Sequence, residues 1–340
     1  MSKVITFGEI LMRLSPPDEL RFSQANSFDL CFGGGEFNVA VSLANFGIDT
    51  EFVTCLPNND LGKRALMEIK KHNVSCHNVV FEGNRLGIYF LEEGSSIRGS
   101  KVIYDRADSA IANLELGKID WQNIFKNATV FHWSGITPAI SQNLAAVCLE
   151  ALKFASDAGL TITCDLNYRA KLWNYGQEPK DIMPNLLQYC DLILGDIDTA
   201  LFMLGKEKLD PDYKDLESLK SQYDYIFDLC PNLKQMATTL RYSLHKNQQQ
   251  IGGILYDKKQ LYNAPIVDIV PVLDRIGSGD AFMGGLLYGL LNEAFDPQQT
   301  LDFAVAACCL KHTIKGDLNE TTIEEIQKLL DGDTSGKVAR

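Results

Sequence analysis

The strongest constraint on the fold of this chain is an alternation: apolar runs of strand length take turns with longer runs of helical period. Val4 to Ile10 reads as a first strand, and Gly33-Gly34-Gly35 then opens an amphipathic helix that Gly47 stops. Further on, Glu51 to Cys55 precedes the helical run Leu61 to His72, and Thr129 to Trp133 precedes Gln142 to Ala158. Thr161 to Leu166 follows as a strand, and Asp191 to Leu194 precedes Ile197 to Leu204. Strands separated by helices pair in parallel, so the pattern predicts an α/β fold, a parallel sheet with helices on both faces. The later chain adds a β-like pair, Gly253 to Tyr256 and Gln260 to Ala264, and helices at Gly279 to Leu291, Gln298 to Thr313 and Thr322 to Leu330.

One region departs from the alternation. Leu86 to Leu91 and Val102 to Asp105 read as antiparallel strands joined by a turn at Gly94-Ser95-Ser96, with no helix between them. Together with Leu14 to Leu30 they predict a small flap, formed from residues 14–34 and 85–110, that stands on the main domain as a candidate lid. The 340 residues, 46% of them apolar, suffice for one large domain over residues 1–332. Residues 333–340 read as a disordered tail.

A formal net charge of -12 argues against nucleic acid or an anionic membrane as a partner, because both are bound through clustered lysine and arginine. An anionic substrate would need local arginines to overcome that field. The nine cysteines are scattered, without a C-x-x-C pair, which suits free thiols in a reducing compartment. The five histidines form no H-E-x-x-H. Met1 to Phe7 lacks the basic and long apolar regions of a signal peptide, and no apolar run has the length to span a bilayer, so a cytoplasmic location is expected.

The stretch most informative about chemistry is Asp274-Arg275-Ile276-Gly277-Ser278-Gly279-Asp280, followed at once by an apolar helical run. A tight turn that opens a helix leaves its first amides unpaired, and the helix dipole favours an anion there. The amides of Gly277, Ser278 and Gly279 would then cradle a phosphate, with Asp280 kept ionised beside it, which is the minimum needed to activate a hydroxyl for phosphoryl transfer. The same residues also suit an ordinary capped turn without chemistry. A P-loop is excluded by the absence of G-x-x-x-x-G-K-[ST], and the third glycine of a dinucleotide fingerprint is missing.

With Gly33-Gly34-Gly35-Glu36-Phe37-Asn38-Val39-Ala40 early, Asp274-x-x-Gly277-x-Gly279-Asp280 late and a small β flap between them, the chain resembles the ribokinase-like, or PfkB, carbohydrate kinases over nearly its whole length. Gly87-Ile88-Tyr89, Tyr104-Asp105-Arg106, Ser134 to Ala139 and Asp165-Leu166-Asn167-Tyr168-Arg169 look most like 2-keto-3-deoxygluconate kinases. The resemblance implies a ribokinase-like sandwich with a β lid, ATP as co-substrate, magnesium, and transfer to the terminal hydroxyl of 2-keto-3-deoxygluconate. It implies Asp280 as the base, Gly277, Ser278 and Gly279 as the anion hole, and Gly277 and Gly279 as nucleotide contacts too. Gly34, Tyr89, Tyr104, Arg106, Arg169 and Asp317 are similar to the sugar-acid contacts of the family, while Asn167 and Arg241 fall on the nucleotide side. Lid strands of this family often pair between subunits, so a homo-oligomer through the lid is expected.

Residue chemistry adds to this. A sugar acid carries a carboxylate that arginine can grip bidentately, a role open to Arg106 and Arg169, whereas fructose or ribose needs no cation. Either arginine also suits a structural ion pair, and Tyr89 and Tyr104 also suit packing. A fructokinase or other ketose kinase is the alternative within the class, and a non-catalytic sugar-acid sensor is the alternative outside it. Two departures bear on the nucleotide side. Asp196-Ile197-Asp198-Thr199 stands where the family often has Asn-x-x-Glu, which leaves the metal ligands open, and Thr238 to Tyr242 places tyrosine where glycine is usual. Leu244 to Gln250 reads as a solvated loop.

Overall fold

A computed structural model describes residues 2–333, so the tail expected at 333–340 lies outside the described residues except for Asp333. In chain order the strands are β1 (Lys3–Phe7), β2 (Leu11–Ser15), β3 (Asp29–Gly33), β4 (Asp49–Val53), β5 (Cys55–Leu56), β6 (Val80–Phe81) and β7 (Ile88–Glu92). They continue as β8 (Lys101–Asp105), β9 (Val130–Ser134), β10 (Thr161–Asp165), β11 (Leu192–Leu194), β12 (Gln235–His245), β13 (Gln248–Tyr256) and β14 (Leu261–Ile269).

Eight of them make the main sheet in the order β14-β13-β12-β11-β10-β9-β1-β4. From β4 to β12 the pairing is parallel, as the alternation predicts. Both faces are buried, so the side chains along each strand part between two cores. Ile5 and Phe7 join Phe131, Trp133 and Ile193 on one side; Val4 joins Val130, Leu192 and Leu194 on the other, beneath Phe282, Met283 and Leu286 of the Ser278–Leu291 helix. That helix lies against the Gly35–Asn45 helix, and a Cβ on Gly284 would approach Ser42 Cβ within 2.5 Å. The chain leaves β1 toward β4 on one side and returns through β9 and β10 on the other. The crevice outside their carboxyl ends is the natural place for a ligand in such a sheet.

The far edge corrects the sequence reading. The polar stretch 244–250 is not a solvated loop: β12 runs through His245, turns at Lys246-Asn247, and returns antiparallel as β13, with β14 also antiparallel beyond it. A tight connection can only join antiparallel neighbours. Gln249 is fully buried there, its Oε1 accepting from Ser243 Oγ at 2.9 Å. Helices at Pro179–Leu187 and Leu216–Leu229 were not anticipated. The second buries Leu219, Tyr223, Ile226 and Phe227, a helical stripe set in an otherwise polar stretch. Among the described residues no helix is long and apolar enough to cross a membrane.

A separate sheet of order β3-β2-β7-β8 stands apart from the main one. Its registers align two rows of side chains on opposite faces: Cys31, Arg13, Tyr89 and Tyr104 in one, Leu30, Leu14, Phe90 and Ile103 in the other. Tyr89 and Tyr104 of the first row border the crevice, while Leu30 and Ile103 of the apolar row are half exposed.

Candidate active site

The turn before the Ser278–Leu291 helix is shaped by Gly277, whose φ of +78° is a left-handed conformation that favours glycine. No other residue fits there, since a Cβ would stand 1.8 Å from the Asp317 carbonyl oxygen. The Ser278 N–H makes a long 3.4 Å bond to the Arg275 carbonyl, and a Cβ on Gly279 would meet nothing within 4 Å. The turn therefore presents bare backbone to open space. Two arginines border it. Arg241 Nη2 donates to Ser278 Oγ at 2.8 Å, and Arg275 is fastened by its Nη2 to the carbonyls of Lys246 and His245. Arg275 is held below its ordinary pKa by burial and by the like charge of Arg241, so the pair concentrates positive charge beside the turn.

Asp280 lies in the first helical turn, and Asn38 Nδ2 donates to its Oδ2 at 2.6 Å. Its state differs from the sequence expectation of a carboxylate kept ionised by the dipole. Burial pushes its pKa up to about 7, against the opposing hydrogen bond from Asn38 and with the charge of Asp165 adding to the rise. Asp165, at the end of β10, is pushed up to about 6, again by burial, with Arg169 pulling the other way. Desolvation outweighs the helix terminus here. A carboxyl that titrates near neutrality is well matched to accepting a proton from a hydroxyl.

The residues expected to act as base, anion hole, sugar-acid contacts and nucleotide contacts border one cavity of about 320 Å³: Asp280, Gly277, Ser278 and Gly279, then Gly34, Tyr89, Tyr104, Arg106, Arg169 and Asp317, and also Asn167 and Arg241. Their engagements differ. Arg169 is exposed, donates only to the Tyr168 carbonyl at 3.0 Å, and makes no ion pair among the described residues. Arg106 is buried, with Nε 2.7 Å and Nη2 2.5 Å from Glu9 Oε2, while Ser109 Oγ donates to Glu9 Oε1 at 2.6 Å. Its ion-pair partner is thus Glu9. Tyr89 donates its hydroxyl to Asp317 Oδ2 at 2.5 Å, and Tyr104 lies beneath the Arg106 guanidinium. Asn167 takes a left-handed φ of +36°, and its N–H donates to Asp165 Oδ1 at 3.0 Å.

Sequence reasoning missed the buried charges behind this wall. Arg13 spans Asp274 and Asp317, and Glu9 anchors Arg106. Glu36, within the quoted glycine motif, accepts from Ser134 Oγ and Thr137 Oγ1, which fastens the helix start to β9. A lone charged residue within an apolar strand, such as Arg13 in Leu11-Met12-Arg13-Leu14, was the available signal. Both aspartates of the stretch that stands in place of Asn-x-x-Glu are already engaged. Asp196 caps the Ile197–Met203 helix through Thr199, and Asp198 Oδ1 accepts from the Leu209 and Asp210 amides. Among the described residues no group of three or more histidine, cysteine, aspartate or glutamate side chains is arranged to hold a metal ion.

A bare anion turn, a carboxyl poised near neutrality and a small cleft at the switch point of a parallel sheet define a phosphotransferase acting on a small molecule. The chain belongs to the pfkB family of carbohydrate kinases, whose family model matches residues 1–322. It is 32% identical over 339 residues to the 2-dehydro-3-deoxygalactonokinase of Haloferax volcanii, covering 98% of each chain. The structure of 2-dehydro-3-deoxygluconokinase from Thermotoga maritima superposes with a TM-score of 0.92 at 41% identity, covering 98% of this chain and all of that one. Fructokinase-2 of Solanum lycopersicum is more distant, 25% identical over 346 residues, covering 97% of this chain and 96% of the relative. ATP is a co-substrate of the family to which the chain belongs.

Proposed function

We propose that this kinase transfers the γ-phosphoryl group of ATP to the terminal hydroxyl of a 2-keto-3-deoxy sugar acid, with 2-keto-3-deoxygluconate as the preferred substrate. The observation that carries the substrate class is Arg169, a cation that makes no salt bridge among the described residues and lies on the same cavity as Asp280 and the anion turn. A neutral ketose gives that charge nothing to bind, whereas a carboxylate matches its planar donor edge. Arg106 would assist from the edge left free by Glu9. The names borne by the Haloferax and Thermotoga relatives agree with this substrate class.

In the reaction Asp280 accepts the hydroxyl proton as the substrate oxygen attacks the γ-phosphorus. The bond between phosphorus and the β,γ-bridging oxygen breaks, and ADP departs. The amides of Gly277 and Gly279, with Arg241 and Arg275 nearby, would stabilise the charge that develops on the transferred group. Among the described residues no group of three or more acidic, histidine or cysteine side chains is arranged to hold magnesium, and Asp196 and Asp198 are committed elsewhere. We assign the ion to the nucleotide phosphates and water, in keeping with its reluctance to dehydrate. The small sheet acts as the lid that excludes water, and its exposed apolar row pairs between subunits. All nine cysteines are unpaired, which supports a reducing, cytoplasmic location.

The test is ADP release with ATP and magnesium, comparing 2-keto-3-deoxygluconate, its galacto epimer, fructose, ribose and gluconate at matched concentrations. Turnover confined to the keto acids is the expected result. Activity on fructose with none on the acids would overturn the substrate class.

A further inference from the structure

Arg13 belongs to none of the motifs that identify the family, yet its side chain is only 3% exposed and touches three carboxylates. Its Nη1 lies 2.7 Å from Asp274 Oδ2 and 2.9 Å from Asp317 Oδ1; its Nη2 lies 3.2 Å from Glu93 Oε1; its Nε donates to Ser15 Oγ at 3.0 Å. Burial alone would lower its pKa, but Asp317 and Asp274 more than reverse that and hold it raised, so it stays charged. Lysine would not do the same, because only the planar guanidinium fork reaches several acceptors at fixed angles. Lys311, another buried cation nearby, is spent on the Ile314 carbonyl at 3.0 Å and makes no ion pair with either aspartate among the described residues.

What Arg13 holds is the frame of the anion turn. Asp274 Oδ1 accepts from the Ile276 N–H at 3.0 Å, one residue before Gly277, and its Oδ2 accepts from the Gly316 N–H at 3.1 Å. Asp317 packs its backbone carbonyl against Gly277 so closely that no Cβ fits between them. Arg13 comes from β2 of the small sheet, in register with Tyr89 of β7, and the two donors share one carboxylate: Arg13 takes Oδ1 of Asp317 and Tyr89 takes Oδ2. The sheet that borders the sugar side of the cavity is thereby tied to both backbone segments that shape its phosphate side.

We propose that Arg13 is a positioning residue that holds Asp274 and Asp317 in the arrangement shaping the anion turn, so that the turn has its reactive geometry only while the small sheet is seated against it. The kinetic consequence rests on the kinase reading above; the structural consequence does not.

The test uses the full chain with Arg13→Lys and Arg13→Met, each alone and combined with Asp274→Asn. With 2-keto-3-deoxygluconate and ATP, Arg13→Lys should lower kcat by about 10- to 100-fold, the scale of a misplaced reactive geometry, with both KM values within about threefold. Adding Asp274→Asn should cost little more, because the two residues act as one unit. Without ligands, hydrogen exchange of the Ile276 and Gly316 amides should quicken about tenfold or more while the amides of β9 and β10 keep their protection. Unchanged kcat and unchanged exchange in Arg13→Lys would overturn the proposal, as would faster exchange spread evenly over the core strands, which marks a purely global stability role. Should Arg13→Met fail to fold, the charge-preserving lysine variant still decides. If the unaltered protein turns over no keto acid, the kinase reading falls, and the exchange result alone confirms or overturns the role of Arg13.

Discussion

Asp280 works against its own burial. In the folded protein its pKa is about 7, whereas in the unfolded chain a carboxyl titrates at roughly 3.9. The folded state therefore holds the extra proton between those values. The stability this contributes is full below the lower pKa and is lost as pH rises through the upper one. Asp280→Asn keeps the shape and removes the charge, so its thermal midpoint at pH 8 should equal or exceed that of the unaltered protein. Its kcat should fall by about 10² to 10⁴. In the unaltered enzyme kcat/KM for the sugar acid should rise with pH through an acid limb near 7, and an activity flat across that range would remove Asp280 from the role of base. The two arginines separate in the same way. Arg169→Gln changes an exposed side chain and should leave the thermal midpoint within the range of a surface substitution, about 0.5 kcal/mol, while raising KM for the keto acid and sparing KM for ATP. Arg106→Ala strands buried Glu9 and should cost about 3–5 kcal/mol of stability, read by denaturant unfolding.

At the scale of elements, the turn holds two glycines with opposite requirements. Gly277 has a left-handed backbone and no room for a Cβ, so Gly277→Ala should strain the fold and abolish turnover together. Gly279 has open space beside it, so Gly279→Ala should leave the thermal midpoint unchanged while lowering kcat/KM for ATP by about 10², because the methyl group enters the space intended for phosphate. Measuring melting and kinetics side by side on both variants separates the two requirements. The glycine pattern was legible in the sequence, since Gly-x-Gly before an apolar helical run announces a turn with free amides. Which glycine is structural was not legible, because the backbone of Asp317, some forty residues away in the chain, makes that decision. The hairpin at Lys246-Asn247 was misread for a related reason: its glutamine and serine look like loop residues, and only pairing with each other beneath the sheet edge makes them strand residues.

At the scale of the whole molecule, the small sheet has one face committed to the cavity and one with Leu30 and Ile103 half exposed, beside the clustered rings of Phe22, Phe28 and Phe90. Its edge strands β3 and β8 also carry unpaired backbone. Solution mass should therefore be a multiple of the 37.9 kDa chain, and Ile103→Lys should shift it toward the single chain; an unaltered monomer would dismiss pairing through this sheet. The alternation of apolar runs determined the parallel sheet by itself, because strand and helix periods are local properties of the chain. The glycine turn and the two arginines likewise marked the chemistry, since each residue type has few roles at such spacing. Only the tertiary structure decided that burial lifts Asp280 to neutrality, that Glu9 claims Arg106, and that Arg13 ties the small sheet to the anion turn. Desolvation and ion pairing depend on which distant groups share a dry space, and no local pattern of residues encodes that neighbourhood.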